Sequence, residues 1–487
     1  MNESEILNKL EELKAIKQRE IKEDAKVLEV YANTLKGDLN ALAQSLKLGI
    51  AKKQIRLLKN VNAYRGIMYQ EVYIGINDEI ILYGDVYISG GVDINTTGSG
   101  RTPIAWGFSR LAIPKGIEIK DVVGGHANFY AIEKDSNAMW VWGNNSQGCL
   151  GLGHNSVVPI PQKVSFRAKI KQVCSKSYTS SLQFCTILLE DGTVWSCGRN
   201  TEGELGIGNT IDSNRFVRIN SLANITEIFG GNNVVSGIFA LDDKGNLWAW
   251  GWNGNGCLGM GKTTNVLSPE LHPLKNVSKV YHYTRDTSGW KGSSFFVSNN
   301  KFYGCGYNAQ SQLSQNDLLD KTSCVEIFNG LNEKDMFIGG AGLSTCLYLN
   351  KEGNVWSWGY GDYGFGDRRI GNNLKKNLNL SVKFKSIASQ AYGYPAFYAQ
   401  DFNDGLWSFG YNNNALGLGH NNNVRDWSKL ITPNNIIDYF PVSWYEAERV
   451  LIATDGERLY ACGTSYNGNL NYSTNILQPQ ILPLGEN

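Results

Sequence analysis

The sequence predicts an all-β fold: a seven-bladed β-propeller, with eight blades as the alternative, preceded by an N-terminal α-helical coiled-coil segment. Three observations predict it. A glycine recurs at Gly90, Gly143, Gly198, Gly251, Gly306, Gly359, Gly410 and Gly463, at intervals of 51 to 55 residues, each time closing a strand-like segment. A fixed period of that length marks one supersecondary unit copied along the chain. Each copy holds three to four short alternating segments separated by turns, and before about residue 65 the apolar pattern is helical instead. The expected division is 1–64 as a helical oligomerisation or attachment segment, 65–119 as a β neck or degenerate first repeat, and 120–487 as a propeller of seven repeats.

In the first segment Leu28, Tyr31, Leu35, Leu39, Leu42 and Leu46 form a narrow apolar stripe, and earlier Ile6, Leu10 and Leu13 do the same, among charged residues such as Glu11, Glu12, Lys14 and Lys17. A narrow stripe suits a seam against another helix, which predicts a coiled coil of two or three copies and a structural partner at this helix. A single helix packed on the following domain is the other reading. Lys47, Lys52, Lys53, Arg56 and Lys59 make its end basic, as expected of a solvated helix C-terminus.

The later copies share one script. A strand such as Ile225-Thr-Glu-Ile-Phe opens it and a second such as Gly237-Ile-Phe-Ala follows. A turn such as Glu190-Asp-Gly or Asp243-Lys-Gly closes a hairpin, because Asp-Gly and its kin allow positive φ at the tip. The third strand is Val194-Trp-Ser-Cys-Gly, Leu247-Trp-Ala-Trp-Gly, Val355-Trp-Ser-Trp-Gly or Leu406-Trp-Ser-Phe-Gly, and a Gly-rich loop comes next. One such unit cannot bury both faces of a small twisted sheet. Neighbouring blades cover each other, and a closed ring leaves no bare end.

The loops themselves are alike. Trp142-Gly-Asn-Asn-Ser-Gln-Gly-Cys-Leu-Gly-Leu-Gly, Cys197-Gly-Arg-Asn-Thr-Glu-Gly-Glu-Leu-Gly-Ile-Gly and Trp250-Gly-Trp-Asn-Gly-Asn-Gly-Cys-Leu-Gly-Met-Gly follow one signature. It resembles that of the regulator-of-chromosome-condensation repeat family, over roughly residues 68–487. The resemblance implies a β-propeller whose members mostly bind other macromolecules. The copy after Gly306 loses its later glycines, and the one after Gly359 is shortened.

Composition narrows the function. With 46 Lys+Arg against 45 Asp+Glu there is no general basic footprint, so nucleic acid is not the expected partner. No run of 18 apolar residues exists, and the Met-Asn-Glu-Ser-Glu start predicts synthesis in a cytoplasm without a signal peptide. Cys197, Cys305 and Cys462 occupy the slot before the periodic glycine, where Trp142, Trp250, Trp358 and Phe409 stand in other copies, which reads as a core position. No C-x-x-C pair, H-E-x-x-H, G-x-S-x-G or P-loop occurs, so neither enzyme, metal nor cofactor is expected. His154 and His420 both follow Gly-Leu-Gly and are repeat-equivalent loop residues; acids such as Asp191, Asp243, Glu352 and Asp455 are expected turn formers.

One position varies beyond the needs of the repeat. After the glycine come Asn144, Arg199, Trp252, Tyr307, Tyr360, Tyr411 and Thr464. Arg199, Trp252, Tyr307, Tyr360 and Tyr411 are the expected ligand-binding residues, as an arc of rings on one rim that stacks on sugars, bases or partner side chains. Asn253, Asn308 and Asn412 to Asn414 would add amide hydrogen bonds. Packing of the rings between neighbouring loops is the plainer reading. The layout looks like a phage tail fibre or receptor-binding protein, which predicts a virion protein whose receptor is a cell-surface glycan or protein, with avidity from oligomerisation. The alternative is a cytoplasmic protein–protein scaffold, including an exchange factor for a small GTPase.

Overall fold

The computed structural model describes residues 53–57, 72–78, 85–89, 108–114, 117–124, 128–176, 183–230, 237–285, 291–313, 317–330, 333–339, 345–359, 375–376, 381–389, 396–444 apart from 413, 415, 433 and 434, 448–463 apart from 457, and 476–482. The regular elements among them are β-strands, in eight four-stranded sheets that keep chain order. Sheet 1 runs from Lys53–Leu57 to Phe108–Arg110, sheet 2 from Ile119–Gly124 to Val158–Ser165, sheet 3 from Ile170–Lys176 to Ser213–Arg218 and sheet 4 from Ile225–Gly230 to Val266–Lys275. Sheet 5 runs from Val277–Arg285 to Lys321–Asn329, sheet 6 from Glu333–Gly339 to Lys375–Lys376, sheet 7 from Phe384–Ser389 to Val424–Lys429 and sheet 8 from Asp438–Trp444 to Ile476–Leu482.

The first strands of sheets 2 to 5 lie against one another in order, as do those of sheets 6 to 8, and the first strand of sheet 1 lies against the first two strands of sheet 8. First strands therefore face the axis of a β-propeller and fourth strands its rim. Burial follows this order. The second strands Asn128–Glu133, Phe184–Leu189 and Ala396–Asp401 are buried at every position, whereas the rim strands Ser213–Arg218 and Lys321–Asn329 have no buried residue.

The expected count of seven blades is not supported. Six sheets are complete blades with four strands of five or more residues; the rim strand of sheet 1 has three residues and that of sheet 6 has two. Strand pairing, not the loop signature, makes a blade. Residues 53–110 pair into a sheet without carrying the signature, and the shortened copy after Gly359 keeps three strands with a vestigial fourth. The helical segment expected to reach residue 64 is also corrected, because Lys53–Leu57 is a strand paired with Val72–Asp78. Its Gln54-Ile-Arg-Leu stretch alternates polar and apolar residues, the period of a strand. Residues 1–52, where the coiled coil and the oligomer contact were expected, lie outside the described residues.

The periodic glycine has a steric cause. It leaves the third strand at φ between 90° and 128° in Gly143, Gly198, Gly251, Gly306, Gly359, Gly410 and Gly463, a region L side chains rarely enter. A Cβ on Gly198 would stand 2.5 Å from the Gln183 carbonyl and 2.6 Å from Phe184 Cα on the paired strand. Hairpin tips also follow local chemistry. Asp191 Oδ1 accepts the Thr193 N–H at 3.0 Å, and Asp242 Oδ1 accepts those of Lys244 and Asn246 at 3.0 and 2.8 Å. Asp242, rather than the neighbouring Asp243, holds that turn.

Candidate interaction face

The loops that follow the third strands, residues 144–157, 199–212, 252–265, 307–320 and 411–423, all leave at the strand end marked by the periodic glycine, and so share one face of the ring. Each is built on a buried asparagine. Asn200 Nδ2 donates to the carbonyls of Asn209 and Ile211 at 2.9 and 3.1 Å, its Oδ1 accepts the Leu205 N–H at 2.9 Å, and its own N–H donates to Asp212 at 2.8 Å. Asn253 repeats this with Lys262, Thr264, Leu258 and Asn265, and Asn308 with Asp317, Leu313 and Asp320. Asn145 and Asn412 close their loops on the carbonyls of His154 and His420, at 2.7 and 2.6 Å. The expectation that Asn253, Asn308 and Asn412 offer amides to a ligand is therefore corrected: their amides are used inside the loop. His154 and His420 are equivalent loop residues, each accepting a backbone N–H on Nδ1 at 3.2 Å.

The glycine-rich half of the loops 144–157, 199–212, 252–265 and 411–423 presses on the rim strand of the next blade. Gly153, Gly208 and Gly261 donate their N–H groups to the carbonyls of Asn214, Leu267 and Thr322 at 2.7, 2.9 and 2.8 Å. Side chains have no room there; a Cβ on Gly203 would lie 2.7 Å from Leu267 Cδ2 and 2.9 Å from its Cα. The slot before the periodic glycine completes the latch from the other side. Trp250 Nε1 donates to the Glu204 carbonyl of the preceding loop at 3.0 Å, and Trp358 Nε1 to that of Gln312 at 2.9 Å. Cys197 and Cys305 direct their Sγ to the equivalent carbonyls of Cys149 and Cys257, at 3.0 and 3.3 Å. In these four copies Trp and Cys each donate to that carbonyl, whereas Phe409 fills the same slot without a donor. Sequence reasoning identified the slot as core but gave no sign of its target.

Burial keeps these groups in the thiol form at neutral pH. Cys149, Cys197, Cys257 and Cys305 are fully buried, and burial raises each, Cys149 to about 12. All nine cysteines are free. Among the described residues no group of three His, Cys, Asp or Glu is placed to hold a metal ion, and no helix is long and apolar enough to cross a membrane.

The residues after the periodic glycine are not presented alike. Trp252 and Tyr307 are buried, Trp252 lying across Gly254 of its own loop. Arg199 is held at 2.5 Å from Glu204, with Glu202 at 3.6 Å. Glu204 is fully buried, and burial raises its carboxyl above the usual value although Arg199 opposes this. Tyr411 is half-buried, and Tyr360 lies outside the described residues. The exposed crest of the loops is elsewhere: Ile211 is 72% exposed and Leu319 68%, thirteen residues beyond their respective glycines. The pattern missed them because a single exposed aliphatic carries no signal of its own.

The Regulator of chromosome condensation (RCC1) repeat matches residues 136–180, 191–236 and 244–283. Each match spans the third and fourth strands of one sheet and reaches the first strand of the next, so the sequence repeat crosses the seam that the latch closes. The chain is 26% identical over 361 residues to the Ultraviolet-B receptor UVR8 of Arabidopsis thaliana, covering 72% of this chain and 78% of that protein. It is 32% identical over 151 residues to the X-linked retinitis pigmentosa GTPase regulator of Canis lupus familiaris, covering 29% of this chain but 14% of that protein. In fold it is similar to Prp20p of Saccharomyces cerevisiae, with TM-scores of 0.51 alone and 0.52 in the complex with Kap60, at 19% and 18% identity. Those two structures cover 78% and 84% of this chain and are themselves covered to 90% and 92%.

These relatives overturn the reading as a phage tail fibre or receptor-binding protein, with its cell-surface glycan or protein receptor and its place on a virion. That reading rested on a helix followed by a propeller, and the loop signature is a latch between blades rather than a grip on a receptor. Three stretches of the chain match the RCC1 repeat, and its β-propeller is similar in fold to that of Prp20p.

Proposed function

We propose that the chain is a non-catalytic regulatory scaffold that binds a protein inside the cell, as its relatives suggest: a GTPase regulator, and a Prp20p studied for binding to Gsp1p and histones. A small GTPase whose nucleotide exchange it promotes is the specific form of this reading. The observation that carries it is the division of labour within the loops. Asparagines, glycines and the Trp/Cys slot are used up in closing the ring, which leaves the crests free to differ, with Ile211 and Leu319 as their apolar points. Exposed aliphatics at the same place on two copies, two blades apart, suit one face contacting one macromolecule. Of the residues after the glycine, Arg199 and Tyr411 retain surface to join such a contact, while Trp252 and Tyr307 support the crest from below.

The test is capture of cytoplasmic proteins on the full chain and on an Ile211→Asp/Leu319→Asp variant, followed by direct binding of each purified candidate. A protein bound by the wild type and weakened about tenfold or more by the variant is expected. Release of labelled GDP from a captured small GTPase would establish the exchange form. Equal binding by both chains, or attachment to intact cells with no cytoplasmic partner, overturns the proposal.

A further inference from the structure

Two cysteines and a histidine converge at the seam between sheets 4 and 5. Cys305 sits near the end of the third strand of sheet 5, Lys301–Gly306, and Cys324 in its rim strand. The Gly304↔Val325 pairing sets them opposite one another where the register shifts. His272 comes from the rim strand of sheet 4. A Cβ built on Gly259 would stand 2.8 Å from Cys324 Sγ, 2.9 Å from His272 Nε2 and 3.1 Å from Cys305 Sγ, so the three groups crowd a single point beneath the loop 252–265. His272 Nδ1 accepts the Leu274 N–H at 3.0 Å, which leaves the ring proton on Nε2, and Nε2 faces Cys324 Sγ at 3.9 Å. Cys305 is fully buried, whereas Cys324 is partly exposed.

We propose that Cys324 and Cys305 are a peroxide-responsive pair, with Cys324 as the nucleophile, Cys305 as the resolving thiol and His272 as the group that positions and stabilises the nucleophile. The Cys324 thiolate attacks one oxygen of hydrogen peroxide, the O–O bond breaks, and hydroxide leaves as water after taking up a proton, giving a sulfenic acid. Cys305 sulfur then attacks Cys324 Sγ. The S–O bond breaks, the S–S bond forms, and a second water leaves with the Cys305 proton, so two thiols are oxidised by one peroxide reduced to two waters. The two sulfurs differ as this order requires. Cys324 is drawn below the usual thiol range, first by Cys305 and then, against the effect of its burial, by His272, while burial holds Cys305 well above that range. The cross-strand bond would fasten the rim strand of sheet 5 to its third strand and withdraw the Cys305 S–H from the Cys257 carbonyl, opening the latch at this seam.

The experiment treats the full-length protein with graded hydrogen peroxide, alkylates the remaining thiols after denaturation and maps the peptides by mass. A Cys305–Cys324 linkage that forms before any other cysteine is modified, and that dithiothreitol reverses, is expected. In Cys305→Ser the sulfenic acid should persist and react with dimedone at Cys324; in Cys324→Ser peroxide should leave Cys305 intact. His272→Leu should move the midpoint of Cys324 alkylation upward by about one pH unit, and an unchanged midpoint removes His272 from the scheme. Should a variant not fold by circular dichroism, the wild-type map decides. Absence of the linkage at a peroxide dose that modifies other cysteines, or alkylation of Cys324 at pH 7 no faster than Cys149, overturns the proposal.

Discussion

The loops 199–212 and 307–320 stand two blades apart and do the same job with different residues. Both fold around a buried asparagine, Asn200 or Asn308, that binds the carbonyl nine residues on and the N–H five residues on. Both offer a carbonyl to a tryptophan of the next blade. In the first, Glu204 caps the Glu202 N–H and carries a charge answered by Arg199; in the second, Gln312 caps Gln310 without charge, beside Tyr307. In the first, Gly203 and Gly208 press on the rim strand Val266–Lys275, and Gly206 on the Trp250 indole of the same blade. In the second, those positions are Ser311, Ser314 and Asn316, and the rim strand of the next sheet is just Lys375–Lys376. The asparagine belongs to the loop itself, whereas the glycines answer to the neighbour. Where the neighbour's rim strand is vestigial, the glycines are not kept, although Ser311 still adopts the left-handed φ of 57° that the chain path requires.

Four sets of substitutions test this contrast. Gly203→Ala should cost about 4 kcal/mol, combining left-handed strain with overpacking against Leu267, whereas Ser311→Ala should stay near zero; urea unfolding of both reads the difference, and equal losses would end the idea that the neighbour sets the glycine. Arg199→Ala should cost about 3 kcal/mol by leaving Glu204 buried without a counter-charge, and Arg199→Tyr with Glu204→Gln, which copies the later loop, should recover most of it. Because burial raises the Glu204 carboxyl, the folded state holds more protons than the unfolded one above the usual value of 4.5, so this group's contribution to stability falls as pH rises. The Arg199→Ala deficit should therefore be largest at neutral pH and shrink toward pH 4.5 in chemical denaturation; a deficit independent of pH would mean that Arg199 acts through packing. Asn200→Ala and Asn308→Ala should each cost about 2 kcal/mol from unsatisfied buried amide and carbonyl groups, and a marked inequality would show that the loops do not share a frame. Smallest of all, Ser311→Gly should add about 1 kcal/mol by relieving the left-handed residue, which thermal melts would register as a modest rise.

Much of the fold was legible because its requirements are local or strictly repeated. Gly198 and its equivalents announce themselves by spacing, and Asp191 caps its turn within two residues. The cysteine slot was legible by substitution, since a residue that alternates with tryptophan must be buried. The blade count was not, because sheet 1 is defined by pairing between strands whose loops lack the signature. For the residues after the glycine, spacing places Trp252 and Tyr307 on the loops of one face, but their burial depends on how each loop folds over itself. The meeting of His272 with Cys324, 52 residues away, depends on the seam between two blades, and no local pattern in the chain encodes that seam.

The alternation of Trp250 and Trp358 with Cys197 and Cys305 has a consequence for how such a ring can be rebuilt. Each blade is fitted to the one before it: an indole reaches over a large Glu204 or Gln312, a thiol over a small Cys149 or Cys257. Exchanging a single blade between adjacent places would mismatch both of its seams, whereas moving a neighbouring couple would preserve the matches. The interchangeable brick of this wall is a pair, and transplantation experiments that cut the chain every second period should yield folded rings where cuts at every period do not.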